Sequence, residues 1–515
     1  MKTFLRVLLM AFVLVFAAGA VMSAQAAPAK KSTTPAVPPA GPKLVELASP
    51  ASPLIAFRIM VHAGSINDPK GKEGLNALTA LMIGEGGTKD MTYKQIVDVL
   101  YPWAASINAQ FDKEVTVFIA NIHRDNLKPF YKILSSLLLN PRFDESDFKR
   151  NKDLLLNELQ NSLRGNDDEE LGKQALESML YANHPYGHTP VGTVEGLKAI
   201  TLDDVNSYYK KIYTRDNITI GIAGGFAPEF ASAMKADFAR LPAGKVPPVV
   251  LPKPQPIKDL EIELVQKENR ATAISLGCPI EVNRSHKDFY ALLVAGSYLG
   301  EHRTQNGVLF NYLRGLRGLN YGDYAYVENF IQDGGSTFPV PNIPRRQQYF
   351  SVWIRPVEPQ NGHFSLRGAL YQVQKLVKEG LTKEQFEQQR DFLLNYSKLW
   401  NQTLSRRLGT VLDSNFYGIP YYPDRVQTEL KALTVADVNR AIKKYLNDKN
   451  LDVAFVVKDA EALKVALAEN KPSPIKYAAK APESVLKDDQ ILINLKLNVN
   501  LEKLRVVSAS ELFEK

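Results

Sequence analysis

Cysteine is almost missing from this chain: Cys278 is the single one in 515 residues. No disulfide can close within the protein, so stability has to come from the size of its cores. Within Ile274-Ser275-Leu276-Gly277-Cys278 the thiol reads as a small buried hydrophobe and not as a reactive group. Histidine is scarce too, with seven. Only His184 and His188 have a metal-like i,i+4 spacing, and Pro185 and Gly187 between them predict a loop in place of the helix that would put both on one face. His62, His123, His286, His302 and His363 show no ligand spacing. Long blocks of one charge are also missing. The 63 basic and 55 acidic residues are interspersed and net +8, which predicts a solvated surface and excludes a nucleic-acid groove. Past Val21 no apolar run is long enough for a bilayer, so no membrane span is expected in the mature chain. The run Gly84-Glu85-Gly86-Gly87 lacks a following Lys-Ser/Thr, so it reads as a helix stop and not a phosphate loop.

What is present starts with an export pattern. Lys2 and Arg6 precede an apolar run from Val7 to Val21, and small residues follow to Ala26. Residues 1–26 are therefore expected to be a signal peptide, which places the mature protein in the periplasm or outside the cell. Residues 27–43, rich in Pro, Ala and Lys, read as a disordered tether. A second proline cluster, Pro247, Pro248, Pro252, Pro254 and Pro256, marks a linker over 246–257.

The linker separates two copies of one module, expected over 44–245 and 258–460. Leu197-Lys198-Ala199-Ile200-Thr201 with Asp204-Val205-Asn206 and Asn217 repeats as Leu430-Lys431-Ala432-Leu433-Thr434 with Asp437-Val438-Asn439 and Asn450. The offset is constant and no gap interrupts it. Each copy reads as a Thr-capped helix closed by an apolar strand. Strand-like runs at Ile55–Val61, Val115–Ala120, Ile218–Ala223 and Asp452–Val457 are mixed with long helical patterns and do not strictly alternate with them. That mixture predicts an α+β fold in which each module packs helices on a mostly antiparallel sheet. In the extension, 461–515, Ile493–Leu501 alternates apolar and polar residues and reads as a half-buried strand, expected to extend a sheet of this chain or to meet a partner's edge.

Four stretches agree in order and spacing with one family. Gly74-Leu75-Asn76-Ala77-Leu78-Thr79-Ala80-Leu81-Met82 followed by Gly87-Thr88, then Leu155–Gln160, His184-Pro185-Tyr186-Gly187 and Arg314–Tyr321 together resemble the pitrilysin and insulinase peptidases, family M16, over residues 43–460. The resemblance implies two tandem modules forming half of a clam shell. In active members the first of these helices carries the zinc motif H-x-x-E-H. Its positions are matched here to Asn76, Thr79 and Ala80, an amide, a hydroxyl and a methyl. None is a credible zinc ligand or a base near neutral pH. Glu158 matches the family's third ligand and is vestigial alone; Asn151 stands where the family has a supporting Glu.

The element Arg314-Gly315-Leu316-Arg317-Gly318-Leu319-Asn320-Tyr321 resembles the family's R-x6-Y, whose Arg and Tyr hold the scissile carbonyl of the bound peptide. A guanidinium fork and a phenol suit an oxyanion as it develops. Gly322 departs from the family's small polar residue. These matches imply a chain with no cofactor of its own, incomplete as a metallopeptidase. It is expected to pair with a zinc-bearing M16 subunit in a heterodimer and to help bind an unstructured peptide for proteolysis. The alternative is a non-catalytic scaffold, assembly or peptide-binding protein of the same fold.

Overall fold

The computed structural model describes residues 41–301, 305–331, 337–477 and 480–515. The expected signal peptide and most of the tether, together with His302, lie outside the described residues. Two sheets organise the chain. The first comprises β1 (Lys43–Ala48), β2 (Leu54–Val61), β3 (Ser106–Phe111), β4 (Thr116–His123) and β5 (Ile218–Gly224), in the order β1-β5-β2-β4-β3. The second comprises β6 (Leu260–Gln266), β7 (Thr272–Ile280), β8 (Asp323–Tyr326), β9 (Gln348–Val357), β10 (Leu451–Val457) and β11 (Arg505–Ser508), in the order β11-β6-β10-β7-β9-β8. Position by position the second order repeats the first, with β11 added at one edge. In each sheet the pair at that edge (β1 with β5, β6 with β10) is parallel, and the remaining core pairs are antiparallel.

The internal repeat is realised in three dimensions. The helices Leu202–Ile212 and Val435–Tyr445 open on Thr201 and Thr434, each in a capping box with the Asp three residues on. Each leads into an interior strand of its sheet, β5 or β10.

The modules interlock by trading helices. The helix Asp168–Leu180 belongs by sequence to the first module, yet Gly172 on it lies against Ser275 and Val456 of the second sheet. The helix Leu404–Tyr417 of the second module lays Leu408 and Leu404 on Ala56, Ala223, Val45 and Leu47 of the first. At that crossing Gly221 leaves room: a Cβ there would stand 3.2 Å from Leu408. Each sheet is thus covered on both faces by helices, one layer its own and one borrowed.

Charged side chains seal the seam. The tip of the β3–β4 hairpin, Asp112-Lys113-Glu114, is buried. Arg345 takes both oxygens of Asp112 (2.9 and 2.7 Å) and one of Glu177 (2.9 Å), Lys113 meets Glu177 at 2.8 Å, and Arg346 meets Glu114 at 2.6 Å. Burial raises the cost of Glu177's charge, but Arg345 and Lys113 outweigh it and hold that carboxyl down at about 2.

The extension departs from expectation in one element. Ile493 ends a helix, Glu483–Ile493, and the stretch after it makes only an isolated bridge, Val499 to Leu260. Burial does alternate, with Leu497 in and Lys496 and Asn498 out. No strand forms because Asn470 claims both backbone groups of Leu497 (2.7 and 3.0 Å) that a ladder would use. The strand of the extension is β11, parallel to β6 in the same chain.

Candidate functional site

The helix that resembles the zinc-motif helix, α1 (Leu75–Gly84), is buried along its whole length. Asp68 accepts from the backbone N–H groups of Gly74 (2.8 Å) and Asn76 (2.7 Å), satisfying two of the donors a helix start leaves open. Asn76 is spent on internal structure. Its amide bonds Thr116 of β4 at 3.0 Å, and its carbonyl oxygen accepts from the Tyr208 hydroxyl at 3.2 Å. Thr79 and Ala80 are fully buried, and the Thr79 hydroxyl has no hydrogen-bond partner.

On the side facing the helix Glu145–Asn157, Met82 is met by Asn151, whose amide stands 3.5 Å from the Met82 sulfur. Glu158 lies just past the end of that helix, where the winding widens into a π-helical segment, Glu158–Asn166, and it is exposed. The bonds of Asn76 run to β4 and to the helix Leu202–Ile212, and none joins Asn76 to Glu158 among the described residues. Moving the motif frame along α1 changes nothing, because LNALTALMIG contains no His, Cys, Asp or Glu in any register. Zinc does not fit here. Among the described residues no group of three or more His, Cys, Asp or Glu is placed to hold a metal. His184 and His188 are bound elsewhere, His184 Nδ1 accepting from the Tyr186 N–H (3.0 Å) and His188 Nε2 lying 3.2 Å from Asp68.

The R-x6-Y element is built differently. Arg314 lies in a short π-helical turn, Phe310–Gly315. The chain then reverses through Gly318, whose φ of 67° suits glycine and whose N–H bonds the Arg314 carbonyl at 2.8 Å. The reversal returns Tyr321 to Arg314, and the guanidinium carbon stands 4.9 Å from the centre of the Tyr321 ring. Tyr321 is 79% exposed. Among the described residues, neither side chain has an ion pair or hydrogen bond that would occupy its donors. An exposed phenol and the guanidinium of the half-buried Arg314 thus stand together on one turn, an arrangement able to grip a carbonyl or carboxylate.

The departure at Gly322 has a steric cause: a Cβ there would fall 2.0 Å from the Tyr324 hydroxyl. Beneath the turn, Asp323 is buried and accepts from Asn320 Nδ2 at 2.7 Å. Burial drives its carboxyl well above the usual carboxylate range, opposed by the Asn320 hydrogen bond.

Two features of the site were not legible in the motifs. Arg317, inside R-x6-Y, points inward and pairs with Asp488 (2.6 Å) and Asp489 (2.9 Å) of the extension. The adjacent aspartates in an otherwise amphipathic helix were the available signal. The second is the buried hairpin tip described above.

An interlocked pair of modules, with a motif helix that carries no metal ligand in one and an Arg–Tyr turn at the surface of the other, defines a duplicated peptidase-like protein with no metal centre among the described residues. Comparison with known proteins gives the family. Residues 44–194 match the family model described as Insulinase (Peptidase family M16), and residues 199–393 match that described as Peptidase M16 inactive domain. The chain belongs to the M16 peptidase family. A relative from Helicobacter pylori, a non-peptidase homolog named YmxG, is 22% identical over 413 residues, covering 78% of this chain and 88% of the relative. A relative from Bacillus subtilis, an uncharacterized zinc protease also named YmxG, is 25% identical over 296 residues, covering 57% and 70%. The crystal structure of a peptidase M16 inactive domain from Pseudomonas fluorescens superposes with a TM-score of 0.71 at 20% identity, covering 81% of this chain and 95% of that one. Among the described residues no helix is long and apolar enough to cross a membrane.

Proposed function

We propose that this chain is the non-catalytic subunit of a heterodimeric M16 metallopeptidase. A zinc-bearing M16 chain activates the water, and this chain presents Arg314 and Tyr321 to the carbonyl of an unstructured peptide. The observation that carries the reading is the pairing of half-buried Arg314 with exposed Tyr321, ring and guanidinium 4.9 Å apart and no ion pair or hydrogen bond to either side chain among the described residues. Such a pair stabilises negative charge on a carbonyl oxygen only when a substrate is brought to it, and the chain's own α1 offers nothing to attack that substrate. The family membership and the non-peptidase name of the Helicobacter pylori relative support a chain that does not hydrolyse peptides alone. The export pattern of residues 1–26 supports a periplasmic or secreted site of action.

The test is co-purification from the native host, with the bound chains identified by mass spectrometry and the complex assayed for chelator-sensitive cleavage of an unstructured peptide. The expected result is an H-x-x-E-H partner and an activity that falls in both Arg314→Ala and Tyr321→Phe. A complex with no peptidase partner, or an activity indifferent to both variants, would move the assignment to a scaffold or peptide-binding protein.

A further inference from the structure

We propose that Arg317 is a positioning residue for the Arg314–Tyr321 pair, and that the extension belongs to the site because its Asp488 and Asp489 hold that arginine. The inference rests on the role given to the pair above, and it concerns what keeps the pair in place.

Within the turn, side chains go two ways. Leu316 and Tyr321 face solvent, whereas the Arg317 side chain is fully enclosed. Its Nε donates to Asp489 Oδ1 (2.9 Å), one Nη to Asp488 Oδ2 (2.6 Å) and the other Nη to the Tyr312 carbonyl (2.8 Å). Its plane also covers the Tyr312 ring at 4.1 Å. The aspartates are themselves oriented, since the Tyr312 hydroxyl donates to Asp488 and the Tyr477 hydroxyl to Asp489 at 2.5 Å. Every polar edge of this cluster is therefore answered, as a buried charge requires.

The helix that carries the aspartates is fixed without the turn's help. Leu492 is buried in the second core. Arg367, also buried, donates from one Nη to the Ser473 hydroxyl (2.7 Å), the Lys471 carbonyl (2.9 Å) and the Ile493 carbonyl (2.7 Å). The extension is thus a rigid wall, and Arg317 is the hook by which the turn hangs on it.

Between Arg314 and Tyr321 the backbone is closed by the N–H bonds of Leu316 to Asn311 (2.9 Å), Gly318 to Arg314 and Leu319 to Leu313 (3.2 Å), and Asn320 ties the Tyr321 end to Asp323 (2.7 Å) and the Arg355 carbonyl (3.2 Å). Arg317 ties the middle of the turn to the extension, and with that hook released the stack of Arg314 on Tyr321 is expected to loosen.

The test uses the full chain with arginine labelled in carbon-13. Ring current from Tyr321 moves the Arg314 side-chain signals upfield, and Tyr321→Ala identifies them. In Asp488→Asn/Asp489→Asn, which keeps shape and removes the charges, the Arg314 upfield shift is expected to vanish while far-UV circular dichroism stays as in the parent. Arg317→Lys, which keeps the charge but not the fork, is expected to recover part of the shift. If the Arg317 signals move in the double variant and the Arg314 signals do not, the proposal is overturned.

This readout needs no partner and no substrate, so it stands or falls apart from the assigned function. In the zinc-bearing complex the same double variant is expected to lose kcat on the order of 10²-fold with little change in KM. A loss confined to KM would also count against positioning.

Discussion

The two modules of this protein share a strand order, repeat the same capped helix before the equivalent interior strand, and cover one another's sheets, yet the positions matched to the family motifs are buried in the first and reach the surface at Tyr321 in the second. In the first, the positions matched to the zinc motif have become core: Asn76 stitches α1 to β4 and to Tyr208. In the second, Tyr321 is exposed beside a half-buried Arg314, and neither side chain has a hydrogen bond or ion pair among the described residues. A gene duplication constrains architecture equally in both copies, but chemistry only where a side chain is still asked to meet a ligand. A buried position that loses its ligand is absorbed into packing, because burial without a bond is costly. An exposed position carries no such pressure, so an Arg–Tyr stack that reaches the surface points to use.

The comparison can be broken most forcefully at the seam. Arg345→Met leaves Asp112 and Glu177 short of their main countercharge in a buried place, and a loss of about 3–5 kcal/mol is expected in urea unfolding. Two separated transitions in place of one lowered midpoint would mean that the modules are independent bodies. Next in size is the contrast between turn and motif helix. In the zinc-bearing complex, Tyr321→Phe is expected to lower kcat by about 10²–10³-fold, with folding stability within about 0.5 kcal/mol of the parent because the hydroxyl is exposed. Asn76→Ala should do the reverse. It leaves the Tyr208 hydroxyl without its acceptor and costs about 1–3 kcal/mol of stability, with cleavage per folded complex unchanged.

The smallest effect is a difference between equivalent strand positions, Thr219 in β5 and Asp452 in β10. Burial first, and Glu261 opposite it on β6 second, push the Asp452 carboxyl up to about 7. A carboxyl whose folded pKa is raised binds its proton more tightly in the folded state. Its contribution is therefore fully present below about pH 4 and lost as pH rises towards 7. Asp452→Asn is expected to recover about 1–3 kcal/mol at pH 8 and close to nothing at pH 4.

Much of this architecture was legible before any coordinates. The gapless repeat located the helices Leu202–Ile212 and Val435–Tyr445 and the strands that follow them, because capping and periodicity are local properties. The tail was half legible. Alternation around Leu497 gave its burial but not its hydrogen bonds, which Asn470 takes from nearly thirty residues away. The hairpin tip Asp112-Lys113-Glu114 was not legible at all. Three charges in a row at a turn read as a solvated loop, and only the second module's Arg345 and Arg346 make them interior. At the candidate site the motif gave Arg314 and Tyr321 but not Arg317, whose partners lie about 170 residues on, in a segment the family resemblance does not cover.

The most direct test of the central claim is a three-way assay of chelator-sensitive cleavage of an unstructured peptide: by this chain alone, by its zinc-bearing partner alone, and by the two together. The account predicts no cleavage by this chain, little by the partner, and a large gain on mixing that Arg314→Ala abolishes. Cleavage by the pure chain, or a mixture no more active than the partner by itself, would contradict it.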